Sequence, residues 1–100
     1  MRVYVHLLKS PLKDKKWRAV FTQKNKEILD YTDFGHSSYG DYTTHGDEER
    51  KRRFLTRFRG LIEKYKDEPT APTTLSKWVL WNKKTVEESF KDYKRHYGLQ

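Results

Sequence analysis

Apolar side chains recur at every second position in two segments near the start of the chain, from Val3 to Leu7 and from Trp17 to Phe21. A third apolar run extends from Ile28 to Phe34. A period of two places alternate side chains on one face of a β-strand. The polar residues 23–26 suit a hairpin turn. The pattern therefore predicts a three-stranded antiparallel β-meander over about residues 2–35.

The second half of the chain has the three-to-four-residue period of amphipathic helices. Phe54, Phe58 and Tyr65 fall on one stripe of the first of these helices, and Asp47 is its predicted N-cap. The polar segment 35–46, which precedes this helix, is predicted to be a loop. The predicted helices cover about residues 47–66, 74–82 and 85–97.

These elements predict a single α+β domain over residues 1–100, with three helices packed on one face of the sheet. A sheet of three strands needs such a cover, because it cannot bury both faces by itself. A chain of 100 residues builds one small core and leaves no cleft between domains. Aromatic residues dominate small cores, and six are expected to be buried here: Trp17, Phe21, Phe54, Phe58, Trp78 and Phe90.

Basic residues outnumber acidic ones, with 22 Lys and Arg against 14 Asp and Glu and a formal net charge of +8. At 100° per residue, four cations lie on one flank of the first predicted helix, whereas Arg52 and Arg59 point away from it. Phosphate backbones, acidic proteins and plain solvent all suit such a surface, so the three interpretations stay open. The candidate basic binding residues are Arg50, Arg53, Arg57, Lys64, Lys91, Lys94 and Arg95, and a further basic group at the first strand connection is Lys13, Lys15, Lys16 and Arg18.

Three aromatic residues fall outside the apolar periods. Tyr39 and Tyr42 lie in the polar loop, and Trp81 lies between two predicted helices. Exposed aromatic rings stack on nucleic-acid bases or anchor protein interfaces. The third interpretation is structural, namely that the rings pin the loop onto the domain. We take Tyr39, Tyr42 and Trp81 as candidate aromatic anchors.

The sequence carries no strong signal of an enzyme. His36, Asp41 and His45 share one loop, but they lack the helical spacing of a zinc site and no Cys accompanies them. No phosphate-binding glycine loop, dinucleotide fingerprint or nucleophile elbow is present. We therefore expect no enzymatic activity, catalytic residue, metal, cofactor or small-molecule substrate, and neither a membrane span nor a secretion signal.

Two motifs of the chain read FG…DYT.H.D.ER and, further along, LS.W.LWNK. They resemble a family of small uncharacterised proteins encoded by large DNA viruses of algae and other protists. Some members place Pro after the Asp that corresponds to Asp47, where this chain has Glu48. The resemblance implies a viral origin and carries no activity with it. The matching residues are Phe34-Gly35, Tyr39, Asp41-Tyr42-Thr43, His45, Asp47, Glu49-Arg50, Leu75-Ser76-Lys77-Trp78 and Leu80-Trp81-Asn82-Lys83.

Two functions remain from this sequence. The first is a basic, virion-associated assembly protein of the minor-capsid type, found in the virion and in the host cytoplasm or nucleus during assembly. Its partners would be larger virion or capsid proteins, and Tyr, Trp and Arg are typical of such interfaces. The alternative is a nucleic-acid-binding protein that contacts DNA phosphates without reading sequence, because no base-reading motif is present.

Overall fold

Three antiparallel strands form one sheet in the order β1–β2–β3, as the alternating pattern predicts. The central strand pairs with both neighbours, and Ala19 faces Leu7 on one side and Thr32 on the other. A register irregularity between Phe21 and Thr22 shifts the last pair, so that Thr22 meets Ile28. The computed structural model describes residues 2–100, with β1 at Tyr4–Lys9, β2 at Lys15–Thr22 and β3 at Ile28–His36.

Helices follow the sheet, which confirms the predicted α+β class. In residues 2–100, no helix combines the length and the apolar character that crossing a membrane requires. Asp47 caps α2 as predicted, because its carboxylate accepts the backbone N–H groups of Glu49 and Arg50. The bounds are α1 at Tyr42–His45, α2 at Glu48–Arg57, α3 at Arg59–Lys64, α4 at Pro72–Leu75, a π-helix at Ser76–Leu80 and α5 at Val86–Tyr97.

The predicted helix bounds are wrong at three places. The predicted loop 35–46 contains α1, whose start is capped by the Asp41 carboxylate. The predicted helix 47–66 is divided into α2 and α3 at Phe58. Gly60 follows shortly after, and glycine destabilises a helix by about 1 kcal/mol relative to alanine. The predicted helix 74–82 begins earlier, at Pro72, a residue that suits a first turn. It ends as a π-helix, in which the Trp81 N–H donates to the Ser76 carbonyl at 3.1 Å.

The core lies between one face of the sheet and the segments α4, π-helix and α5. The Tyr93 hydroxyl donates to the Pro69 carbonyl at 2.6 Å, and burial raises the pKa of Tyr93 well above its usual value. This bond ties the last helix to the connector before α4. The buried core residues are Val5, Ala19, Phe21, Phe34, Leu75, Val79, Leu80 and Tyr93.

The first long helical segment contributes less to this core than its pattern predicts. Neither α2 nor α3 carries a buried residue, and Phe54 and Phe58 are only half-buried. The core prediction is therefore wrong for both. Of the other four aromatic positions, Phe21 is buried, while Trp17, Trp78 and Phe90 pack half-buried against the core.

The opposite face of the sheet is open. Arg18 and Asp33 face each other there, with two guanidinium–carboxylate hydrogen bonds of 3.0 and 2.9 Å. The Arg18 bond lowers the pKa of Asp33 below its usual value. Leu8 and Tyr31 lie beside this pair and are about half exposed. The open face is thus mixed in character, with a fixed ion pair among exposed apolar side chains.

Gly35 brings the end of β3 close to the π-helix. Its φ is +79°, a conformation that favours glycine, and a Cβ there would lie 2.8 Å from Leu80 Cδ1. A larger residue at this position would therefore strain the backbone and would also require Leu80 to move. The contact joins the sheet to the segment that carries Leu80 and Trp81.

Gly35→Ala is expected to lower the free energy of unfolding by about 2 kcal/mol, from left-handed strain and the clash with Leu80. Gly60→Ala is the matched control, because Gly60 lies in α3 with open space around its Cα. The control should gain about 0.5–1 kcal/mol, the helix-propensity difference between Gly and Ala. Urea unfolding measures both variants, and equal effects would contradict the close approach at Gly35.

Candidate functional site

A groove with a volume of about 1210 Å³ lies where the end of the sheet, the 35–46 segment, α2 and the π-helix meet. We call it the basic groove. Residues of β2 and β3 and of the 35–46 segment line one part of the groove, and residues of α2 line another. The charged side chains that line it are Lys15, Lys16, Arg50, Arg52, Arg53, Arg57 and Asp41.

A partly buried ion pair joins the sheet to the 35–46 segment at the groove. Lys16 Nζ lies 2.5 Å from Asp41 Oδ2, and the two side chains are only 19% and 3% exposed. The other carboxylate oxygen of Asp41 accepts the backbone N–H of Thr43 at 2.9 Å and the Thr43 hydroxyl. The same carboxylate thus neutralises a cation of β2 and caps α1, so the segment after β3 is fixed on the sheet.

Polar contacts attach α2 to its surroundings. The Tyr42 hydroxyl donates to Glu48 Oε1 at 2.5 Å, and this bond raises the pKa of Tyr42. Lys51 Nζ donates to the Asn82 carbonyl at 2.7 Å. Backbone N–H groups at the helix start, above all that of Arg50, lower the pKa of Asp47. These contacts fix the helix that presents the arginines.

The groove carries a large excess of positive charge. Six Lys and Arg line it, and its one lining carboxylate, Asp41, is already neutralised by Lys16. Arg50 lies 3.8 Å from Asp47, and Arg52 pairs with Glu49, so these two are partly compensated at the exposed rim. Within residues 2–100, no carboxylate lies within ion-pair distance of Lys15, Arg53 or Arg57. These three cations therefore give the groove positive charge that no neighbouring carboxylate of the described residues compensates.

Aromatic rings line the groove together with the cations. Phe54 of α2 stacks on Trp81 with 4.5 Å between ring centroids and 4° between planes. Tyr39 is 70% exposed at the groove and packs against His36 at 4.7 Å. The aromatic side chains that line the groove are Phe34, Tyr39, Phe54, Phe58 and Trp81.

The structure brings together half of the residues singled out from the sequence. Arg50, Arg53 and Arg57 share the groove with Tyr39 and Trp81. The other basic candidates lie outside it. Lys64 and Lys94 sit over the rings of their neighbours Tyr65 and Phe90, Arg95 donates to Asp92 at 2.8 Å, and Lys91 is exposed on α5.

The prediction of Tyr42 as an anchor for a partner is wrong. Tyr42 is 3% exposed, its hydroxyl is taken by Glu48, and Lys51 Nζ lies 4.7 Å from its ring centroid. Tyr42 instead has the structural role considered in the sequence analysis, because it holds the 35–46 segment on the domain. Its place as the first residue of α1, directly after the capping Asp41, was the local signal for this role.

Lys15, Lys16 and Arg52 are lining residues that the sequence did not assign to this site. The two lysines were recognised as a separate basic group, and only the folded sheet brings them opposite α2. Arg52 was expected to point away from the flank of the helix, yet it lines the groove and also a smaller cavity on the other side of α2.

The loop histidines take structural positions. His45 Nδ1 accepts the Asp47 N–H at 2.9 Å, which leaves the hydrogen of the neutral ring on Nε2. The ring packs 5.4 Å from Trp81 and forms part of the groove surface. Across residues 2–100, no three His, Asp or Glu side chains are grouped so that they could hold a metal ion.

The model of a family of unknown function, DUF5754, matches residues 5–58, just over half of the chain. The chain belongs to this family. The DUF5754 match ends at Phe58, the residue that follows α2, so it contains all the groove-lining lysines and arginines and leaves out Leu80 and Trp81. No curated protein and no solved structure matches the chain.

Lys16→Met is expected to destabilise this DUF5754 protein by about 3 kcal/mol, because it leaves the buried Asp41 carboxylate without its partner. Adding Asp41→Asn should recover much of the loss, since the uncompensated charge is then gone. Lys66→Met is the control, because it breaks an exposed pair with Glu63 and should change little. Urea unfolding gives all three values, and a Lys16→Met loss no larger than the control would contradict the role of the pair.

Proposed function

We propose that the basic groove binds nucleic acid through its phosphates, without reading base sequence. The observation that carries the proposal is the charge of the groove, where six cations from β2 and α2 share the lining with one carboxylate that is already paired. Arginine suits this role because its planar guanidinium binds phosphate oxygens in a bidentate manner.

The spacing of the α2 arginines supports a chain-like anion. Arg50, Arg53 and Arg57 recur at intervals of about one turn and span about 10 Å of helix, at 1.5 Å per residue. A polynucleotide offers phosphates at regular intervals along such a line, whereas one small anion would engage only one or two of the cations. The net charge of +8 further favours association with a polyanion.

The proposal predicts steeply salt-dependent binding. A labelled 20-nucleotide DNA, followed by fluorescence anisotropy from 50 to 300 mM salt, should give a slope of log K against log[salt] of about −2 to −4. That value corresponds to about three to six phosphate contacts at −0.7 each. Binding that is absent at 150 mM salt, or independent of salt, would overturn the proposal.

Charge reversal locates the binding surface. Arg53→Glu/Arg57→Glu should weaken binding by more than about tenfold and flatten the slope, since both residues line the groove. Lys91→Glu/Lys94→Glu is the matched control, with the same charge change on α5 outside the groove. An equal loss in both variants would show attraction to overall charge and would contradict binding in the groove.

We propose virion assembly as a second candidate function, with a larger capsid protein docked on the open face of the sheet. The observation that favours it is the exposure of Leu8, Ile28 and Tyr31 on or beside that face. In particles of a virus that encodes the chain, Leu8→Asp/Tyr31→Asp should lower the copy number measured by mass spectrometry. Arg53→Glu/Arg57→Glu should leave it unchanged, and the reverse result would exclude this role.

A further inference from the structure

We infer that the basic groove accepts a single strand of nucleic acid, with its bases against the aromatic rings of the groove and its phosphates against the cations. This inference rests on the proposed function and narrows it. A duplex and a single strand carry the same kind of phosphate, so the distinction lies in what the rest of the groove is built to contact.

The interior of the groove is too apolar to suit a ligand that contacts it through phosphates alone. The Phe54–Trp81 stack and Phe58 line the same groove as the lysines of β2 and the arginines of α2. Phosphate oxygens gain nothing from such rings and would lose water against them. Bases of a single strand stack on aromatic side chains, and every base has a face that can do so.

The period of α2 predicts core positions for Phe54 and Phe58, yet both rings are half-buried. The space that would bury them holds no protein group, and it is the groove itself. A ligand with flat apolar faces would cover these rings as a protein core would. This explains why an apolar stripe and four groove-lining arginines occur on the same helix.

The dimensions of the groove also oppose a duplex. A volume of about 1210 Å³ equals a cube of roughly 11 Å on each side. The two grooves of B-DNA are together about 16 Å deep, so a duplex is thicker than this space. A duplex would therefore meet only the rim, where Arg50 and Arg52 already have acidic neighbours. Its bases, stacked on each other, would leave Trp81 and Phe54 uncovered.

Tyr39 offers a ring at the open edge of the site. It is 70% exposed, and its contact with His36 holds it beside the groove. Arg57 adds a second flat surface, with its guanidinium carbon 5.5 Å from the Phe58 ring centroid. Arginine planes stack on bases as well as bind phosphates. These groups extend the stacking surface from the interior of the groove to its edge.

Three probes separate base contacts from charge contacts. They are a 12-nucleotide oligo-dT, an abasic strand with the same number of phosphates, and a 12-base-pair duplex, each titrated into the full chain at 100 mM salt. Oligo-dT should bind at least about fivefold more tightly than the abasic strand, the effect of one stacked base, and more tightly than the duplex. It should also quench tryptophan fluorescence, because Trp81 lies in the groove.

Tyr39→Ala should weaken oligo-dT binding by about fivefold and leave abasic binding unchanged. Tyr31→Ala is the matched control, because Tyr31 is 54% exposed on the open face of the sheet, away from the groove lining. Both side chains are exposed, so neither substitution removes a core residue.

The outcomes distinguish the single-strand inference from the proposed phosphate binding on which it rests. Equal binding of all three probes, or tighter binding of the duplex, would overturn the single-strand inference and leave phosphate binding in place. Equal effects of Tyr39→Ala and Tyr31→Ala would also overturn it. No binding of any probe, or equally tight binding of poly-Glu, would overturn the proposed function as well.

Discussion

The ion pair between Lys16 and Asp41 is the interaction on which the groove depends. It joins the central strand to the start of α1, and the same carboxylate caps that helix. Tyr42 follows Asp41 directly, and its hydroxyl donates to Glu48 at the start of α2. The position of α2 therefore depends on the Lys16–Asp41 pair through Tyr42 and Glu48. Loss of one partner would leave a charge in a site with little access to water, which gives the pair a large effect on this small domain.

The helix that carries the arginines is held by few groups. It has no buried residue, and its attachments are the Asp47 cap, the Glu48 and Lys51 hydrogen bonds and the Phe54–Trp81 stack. The apolar stripe that would otherwise complete a core is left to line a cavity. Under the proposed function, stability and binding would compete for the same side chains, a common trade-off in ligand-binding surfaces.

Most of the fold follows from local patterns, because strand alternation and the Asp47 cap are short-range effects of backbone geometry. The errors occur where tertiary contacts decide. The division at Phe58, the π-helix and the burial of Tyr42 all depend on neighbours distant in sequence or on small propensity differences. Helical periodicity placed Arg50, Arg53 and Arg57 on one flank, and all three line the groove, but it also placed Lys64 there and Arg52 away from it. It gives no information about Lys15 and Lys16, which belong to the sheet.

The central claim is that a nucleic-acid strand lies between the 35–46 segment and α2. The most direct measurement is a titration of ¹⁵N-labelled protein with oligo-dT, followed by backbone amide and tryptophan indole shifts. The account predicts shifts in residues 36–45 and 50–57 and at the Trp81 indole, with α5 and the open face of the sheet unchanged. Shifts concentrated on α5 or on the open face, with those groove residues unaffected, would contradict it.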